Sequence, residues 1–539
     1  MSTLDEHTVV RSPWPDPEIP GSDLTTFVLR HARRLAGEPA VIEGASGRVL
    51  TYGELAAGVE RIAAGLAARG FGRGDVLALH LPNIPEFALV LHGGLRAGGA
   101  VSPVSPLLTS GELAAQLRRT RARSVVTVGP LAEVASEAAA RAGVDDVIVL
   151  GEPSFDELMA AAGAPPVSRP DQRDVAVMLS SSGTTGLPKA VELTHAALVA
   201  NLVQMAVPFP IEEGERVLGI APFFHSMGLS CVLNHALANG GTVVALARFD
   251  LEVMLRAMET HGVQQALVAP PLLAALAHHP SVSSFDLSAL RTVGSGGAPA
   301  GAALEQAVAK RLDCIVGQGY GITEASPLVA VCPLADPSLM RAGSVGLLVG
   351  GTEARVVDPS SGTTLPASRD GELWVRGPQL MTGYRDDPEA TAATIDEDGW
   401  LHTGDLGHID EDGTIFLVDR LKELIKVRGF QVSPAELEAV LVTHPAVTDA
   451  AVIGVPHERD GERPKAFVVL RGPLDNEELS TYVAARVAPY KRLVAIDEVV
   501  ELPRSPAGKL LRRVLVERER QAQREPAPAC NEVGASGAR

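Results

Sequence analysis

The 539-residue sequence has little cysteine: Cys231, Cys314, Cys332 and Cys530 form no CxxC pair and no metal-ligand spacing. That argues against structural zinc and favours a reducing compartment, so a cytoplasmic setting is expected. An excess of basic charge is also missing. The formal net charge is −18, which argues against wholesale binding to nucleic acid or an anionic membrane and leaves local basic pockets for an anionic nucleotide. Apolar stretches are broken by Gly, Pro, His or charge before about 18 residues, so none reads as a membrane span and no stable membrane insertion is expected. The acidic, proline-rich opening "MSTLDEHTVVRSPWPDPEIPG" lacks the basic-then-apolar order of a signal peptide. No fixed repeat length is visible, which weighs against a solenoid. Aromatics are scarce at 4%, but 46% of residues are hydrophobic. At this length, well past the limit of about 250 to 300 residues for one core, a globular enzyme of several domains is the expected class.

Helix and strand signals alternate through the first part of the chain. "TYGELAAGVERIAAGLAARG" reads as a helix with a turn-like start and a terminal glycine, followed by the buried strand "GDVLALHL". "GELAAQLRRTRA" then "RSVVTV", and "LEVMLRAMETHG" then "VQQALVAP", repeat that order, which predicts an α/β body of mostly parallel sheets covered by helices. From about residue 340 the shorter segments "TEARVVD", "GELWVRG" and "GTIFLVD" predict a β-rich subdomain. A helix should open at Ser433 and Pro434, with Glu436 three after the serine. The expected organisation is an extension over residues 1–20, a large N-terminal domain over 21–419, a small α+β C-terminal domain over 420–519, and a disordered tail over 520–539.

Several segments could carry chemistry. "SSSGTTGLPKA", Ser180 to Ala190, follows the apolar run "VAVML" and precedes a segment readable as a helix. Its glycines, hydroxyls and Lys189 suit a loop around a polyphosphate, yet Gly186 and Lys189 are too far apart for the usual P-loop, and an ordinary polar turn is the alternative. In "GQGYGITEASP", Tyr320 offers a ring for stacking, Thr323 a hydroxyl and Glu324 a hard oxygen ligand for magnesium; a tight turn with a solvated Glu324 is the competing reading. "GSGGAP", Gly294 to Pro299, is a second glycine turn. Asp405 could accept ribose hydroxyls with Arg420 nearby, or simply sit in an Asp-Gly turn. Lys509 in "LPRSPAGKLLRR" could neutralise developing anionic charge, or be an ordinary charged helix start. His225 in "APFFHSMG" fits an acid pocket and equally a hydrogen-bonded core histidine.

Taken together, "SSSGTTGLPKAVELTH", "GQGYGITEASP", "GELWVRGPQLMTGY", "WLHTGDLGHID", "DRLKELIKVRGFQVSPAELE" and "LPRSPAGKLLRR" resemble the adenylate-forming superfamily of acyl-CoA synthetases, luciferases and peptide-synthetase adenylation domains. The resemblance covers roughly residues 20 to 515 and is nearest to 4-coumarate-CoA ligases. It implies a small C-terminal domain that rotates between two half-reactions. It also implies that Ser181, Ser182, Gly183, Thr184, Thr185, Gly186 and Lys189 cradle the β- and γ-phosphates of ATP. By the same resemblance Gly296, Gly297 and Ala298 flank adenine with Tyr320, Thr323 meets the α-phosphate, and Glu324 holds Mg2+. Asp405 and Arg420 would bind ribose, and Lys422 would sit at the hinge. Lys509 would bridge carboxylate and α-phosphate, with Lys426 and Gln431 near the adenylate. Ala190 departs from the glycine common there in plant relatives, which could stiffen the loop exit.

The implied acid pocket comprises His225, Ser226, Met227, Gly294, Gly297, Gly319 and Leu328. Gly294 stands where plant coumarate ligases carry a bulkier residue, so the cavity is either wider or filled by neighbouring side chains. An aromatic or arylalkenoic acid leads, with medium-chain or other aliphatic acids behind it. Coenzyme A is the favoured acceptor, an acyl-carrier protein the alternative partner, and an inactive nucleotide-binding regulator the reading from another class. Monomer and homodimer both remain open.

Overall fold

The computed structural model describes residues 9–160, 165–166, 169–181, 189–428, 430–457, 459–504 and 510–524. The chain clusters into two compact units that divide at Val418 and Asp419. Among the described residues no helix is long and apolar enough to cross a membrane.

The first unit holds three sheets. One runs in the order Gly383–Tyr384, Lys189–Thr194, Val175–Ser181, Ala100–Pro103, Val76–His80, Ser124–Val128 and Asp146–Leu150. Its last five strands pair in parallel, whereas Val175–Ser181 with Lys189–Thr194, and Lys189–Thr194 with Gly383–Tyr384, are antiparallel. The second sheet has nine strands, with a parallel centre that includes Gln265–Val268, Thr292–Ser295 and Ile315–Gly321. Fully covered parallel strands of this kind read as continuous Val, Ile and Leu runs, which is why "GDVLALHL" was legible. The third sheet is the β-rich part: Glu353–Val357, Gly371–Arg376, Leu401–Ile409 and Ile415–Arg420, with Val10–Arg11 added antiparallel at one edge.

Helix ends follow local chemistry. Thr51 and Glu54 form a reciprocal capping box at the start of Tyr52–Ala68, and Thr109 and Glu112 do the same for Ser110–Thr120. Each satisfies two backbone donors that would otherwise lack partners. Tyr52–Ala68 packs on Pro85–Arg96 at close range. A Cβ at Gly58 would lie 2.4 Å from Leu89 Cδ2, and one at Gly93 would lie 2.4 Å from Ile62 Cγ2, so these two glycines set the helix separation.

The second unit has its own core, including Ile425, Val432, Leu437, Val452, Val468 and Leu479. Its central pair, Val447–His457 and Gly461–Leu470, is antiparallel, and Ala495–Glu498 lies parallel to the latter. Ser433 caps Pro434–Val442 by accepting from the Glu436 N–H. The C-terminal helix Arg512–Arg524 continues through the start of the segment expected to be a disordered tail, and residues 525–539 lie outside those described.

Among the described residues four histidines, His80, His92, His195 and His235, are buried in the first unit's interior, and burial lowers the pKa of each. Burial holds His80, His92 and His235 down to about 4. His92 bonds Thr25 and Asn234 at 3.2 Å each, and His235 Nε2 lies 2.8 Å from the Phe209 carbonyl. With folded values below the ordinary one near 6.5, the unfolded chain binds more protons across this window. Stability is therefore present above about pH 6.5 and is lost as pH falls toward 4, by up to about 3 kcal/mol per histidine. Denaturation at pH 7.0, 6.0 and 5.0 should show a progressive loss that starts above the carboxylate range; a flat profile down to pH 5 contradicts it.

Candidate functional site

The phosphate-loop candidate joins two antiparallel strands. Ser181 ends one, Lys189 begins the next, and the two residues are paired across the ladder. The expected helix after the loop is thus preceded by a strand, Lys189–Thr194, and starts only at His195, capped by Thr194. The reason is local: alternating "AVELT" suits a pleated strand, and the cap residue comes only at its end. Ser182, Gly183, Thr184, Thr185 and Gly186 lie outside the described residues.

The turn Thr323–Ala325 follows the strand Ile315–Gly321 and packs against both loop strands. This brings Thr323 and Glu324 to the ends of the loop. A strap, Met381–Arg385, ties the pieces together. Met381 N–H donates to the Glu324 carbonyl at 2.8 Å, Thr382 N–H to the Glu192 carbonyl at 3.1 Å, and Arg385 N–H to the Ala190 carbonyl at 2.8 Å. Tyr384 O–H donates to Glu324 Oε1 at 2.9 Å, and Lys189 Nζ lies 4.6 Å from the centre of the same ring. The buried Oγ atoms of Ser181 and Ser326 have no hydrogen-bond partner among the described residues. Orphaned hydroxyls of this kind fit a polar ligand.

Tyr320 and Asp405 are both buried, and the Tyr320 O–H donates to Asp405 Oδ2 at 2.7 Å. Asp405 is not in an isolated turn. It stands in the strand Leu401–Ile409, where the pairing with Gly371–Arg376 shifts register between Glu372 and Trp374. Gly404 has φ 68° at this irregularity, and its N–H donates to Glu372 Oε1 at 2.9 Å. Such a bulge re-aims the next side chain.

The glycine turn Gly294 to Pro299 leaves the neighbouring strand, Thr292–Ser295. A Cβ on Gly296 would lie 3.4 Å from Met227 Sδ and 3.5 Å from the Gly319 carbonyl oxygen, and one on Gly319 would lie 3.4 Å from Leu328 Cδ1. Met227, Gly296, Gly319 and Leu328 are therefore neighbours. Gly297 has φ 85° and open space around its Cβ position, with Ala298 next in the chain. At Gly294 the space is already taken, because a Cβ there would meet Leu267 Cδ1 at 2.8 Å.

Ser226 is buried and His225 half-buried just before a π-helical stretch, Met227–Asn234. Asn83, absent from the sequence reading, fixes the approach to it. Its side chain donates to the Gly219 and Ala221 carbonyls and accepts from Phe223 N–H, each at 2.9 Å. Asn201 likewise accepts from Leu328 N–H at 3.0 Å and donates to the Leu328 carbonyl at 2.8 Å, fixing that backbone.

Arg420, Lys422, Lys426 and Gln431 belong to the second unit. Arg420 ends the strand Ile415–Arg420, and Lys422 lies in the short turn Leu421–Glu423. Exposed Lys426 is paired with Gln431 in the Ile425–Val427 and Phe430–Val432 hairpin. Asp419 Oδ2 accepts from Ser433 Oγ at 2.6 Å and Ala435 N–H at 3.0 Å. Lys509 lies outside the described residues.

Residues 28–385 match the model of the AMP-binding enzyme family, and residues 436–509 match that of the AMP-binding enzyme C-terminal domain. The chain belongs to the AMP-binding enzyme family. It is 40% identical to 4-coumarate–CoA ligase 3 of Oryza sativa subsp. japonica over 526 residues, covering 95% of each chain. Among solved structures, it resembles the anthranilate CoA ligase AuaEII in complex with anthranoyl-AMP, with TM-score 0.86, 25% identity, and coverage of 94% of this chain and 98% of that one. It also resembles ATP-bound MatB from Rhodopseudomonas palustris, with TM-score 0.84, 28% identity, and coverage of 93% and 100%. This AMP-binding enzyme is an ATP-dependent adenylate-forming ligase.

Tyr320→Phe keeps the ring and removes the hydrogen bond to Asp405, worth about 1.5 kcal/mol for a charged acceptor. In this AMP-binding enzyme it should raise the KM for ATP roughly tenfold and leave the KM for the acid unchanged. Steady-state kinetics with each substrate varied checks it, and an unchanged ATP KM contradicts it.

Proposed function

We propose that this enzyme activates an aromatic or arylalkenoic carboxylic acid as an acyl-AMP and transfers the acyl group to coenzyme A. The observation that carries the reading is the convergence of Ser181, Lys189, Thr323 and Glu324 at the phosphate loop. One further fact favours an aryl acid: the chain aligns along nearly its whole length with a 4-coumarate–CoA ligase.

In the first half-reaction a carboxylate oxygen attacks the α-phosphorus of ATP, the bond to the β-phosphate breaks, and pyrophosphate leaves. In the second, the sulfur of CoA attacks the acyl carbon, the thiol proton is lost, and AMP leaves. Two anions must meet in the first step, so the chain's task is to place positive charge and fixed dipoles around them. Lys189 and the loop hydroxyls hold the β- and γ-phosphates, while Thr323 holds the α-phosphate. Tyr320, Gly296, Gly297 and Ala298 bound the adenine, and Asp405 holds ribose hydroxyls with Arg420. His225, Ser226, Met227, Gly319 and Leu328 bound the acid. Glu324 would hold magnesium, which would supply charge neutralisation on the phosphate oxygens. Lys509 serves adenylation, Lys422 marks the hinge for rotation of the smaller unit, and Lys426 and Gln431 attend the adenylate.

Incubation with ATP, CoA and separate aryl and aliphatic acids, read by pyrophosphate release and mass spectrometry of the thioester, tests substrate and acceptor together. Aryl acids should give acyl-CoA. Thioester formed only with aliphatic acids, or only on a loaded carrier protein, contradicts the assignment. Lys509→Ala should slow adenylation by about 10²-fold or more, a typical effect for loss of one preorganised charge, and spare thioester formation from supplied acyl-AMP. Equal loss in both half-reactions overturns the role of Lys509.

A further inference from the structure

We infer that Tyr384 is a positioning residue that sets the Glu324 carboxylate and the phosphate-loop lysine, Lys189, in register with each other. The inference rests on the proposed role of Glu324 as a magnesium ligand. Tyr384 sits on the two-residue strand Gly383–Tyr384 at the edge of the seven-stranded sheet, paired with Val191 of the strand that leaves the phosphate loop. Its O–H donates to one oxygen of Glu324, and its ring face carries the Lys189 ammonium. One side chain therefore holds both groups by different means: a hydrogen bond at the phenol tip and a cation–π contact over the ring.

The mounting of Tyr384 is itself firm. Its N–H donates to Thr391 Oγ1 at 2.9 Å, and that hydroxyl donates to the Asp387 carbonyl at 2.8 Å. The helix Pro388–Thr394 thus holds the strand, and Asp387 caps that helix by accepting from Ala390 N–H. The Thr394 hydroxyl is a further hydrogen-bond partner of the phenol. A phenol carries its proton at neutral pH, so it donates to Glu324. A carboxylate with one oxygen held in this way presents its other oxygen in a restricted direction, which lowers the ordering needed to take a hard cation. The same residue also holds Lys189 over its ring, at the start of the strand that leaves the loop.

The two functions separate by substitution. Tyr384→Phe removes the phenol oxygen and keeps the ring, whereas Tyr384→Leu removes both. The full-length protein would be titrated with Mg2+ in the presence of a non-hydrolysable ATP analogue, with analogue binding read by calorimetry. Tyr384→Phe should raise the Mg2+ concentration for half-saturation about tenfold, the scale of one hydrogen bond to a charged group, and leave analogue affinity at saturating Mg2+ unchanged. Tyr384→Leu should show the same metal shift and also weaken the analogue at saturating Mg2+. Combined with Glu324→Gln, the Phe substitution should add nothing further, because its effect passes through that carboxylate. An unchanged Mg2+ dependence in Tyr384→Phe, while Glu324→Gln shifts it, overturns this inference and leaves the proposed function standing. Indifference of Glu324→Gln to Mg2+ overturns the metal assignment itself, and the inference with it.

Discussion

The structure of the site depends on one topological constraint: the phosphate loop closes an antiparallel pair. A glycine-rich loop that enters a helix presents unpaired backbone N–H groups and the positive end of a helix dipole to phosphate. Here the strand Val175–Ser181 leads into the loop and the strand Lys189–Thr194 leaves it, so no helix terminus stands at the exit. The ladder consumes backbone donors that a helix start would leave free. At the described ends of the loop stand the side chains of Lys189 and Glu324, both held by Tyr384. The Met381–Arg385 strap holds the Glu324 turn to the loop strand by backbone bonds of 2.8 to 3.1 Å.

The remaining site features share a second device, the use of buried polar side chains as internal braces. Asn83 saturates three backbone groups of the segment that leads to His225. Asn201 does the same for Leu328, and through Gln204 the network reaches Gln379 and the Gly350 carbonyl. Such networks are costly if incomplete and rigid when complete.

Parts of the fold were legible because several helix starts carried their own chemistry. Thr51 with Glu54, Thr109 with Glu112, and Ser433 with Glu436 signal their caps within four residues. The exit strand after the phosphate loop was not legible, because "KAVELTH" is too short for periodicity to separate strand from helix. Asp405 was recognised as a candidate, but its place beside a register shift was hidden, since the shift arises from pairing with Gly371–Arg376. Asn83 and Tyr384 escaped for the same reason. Their partners lie 136 to 140 residues away for Asn83 and 60 away for the Tyr384 bond to Glu324. A lone asparagine or tyrosine gives no local sign of such work. The signal available for Tyr384 was its place at the end of "GELWVRGPQLMTGY", a segment that carried the family resemblance without a role for the tyrosine.

Formation of an acyl-adenylate is the chemical claim on which the site stands. It is tested most directly by supplying the acid with both carboxylate oxygens labelled as 18O and following the label through one turnover with ATP and CoA. Attack of the carboxylate on the α-phosphorus predicts one labelled oxygen in the released AMP and none in pyrophosphate. Unlabelled AMP, or label appearing in inorganic phosphate with release of ADP, would contradict the account.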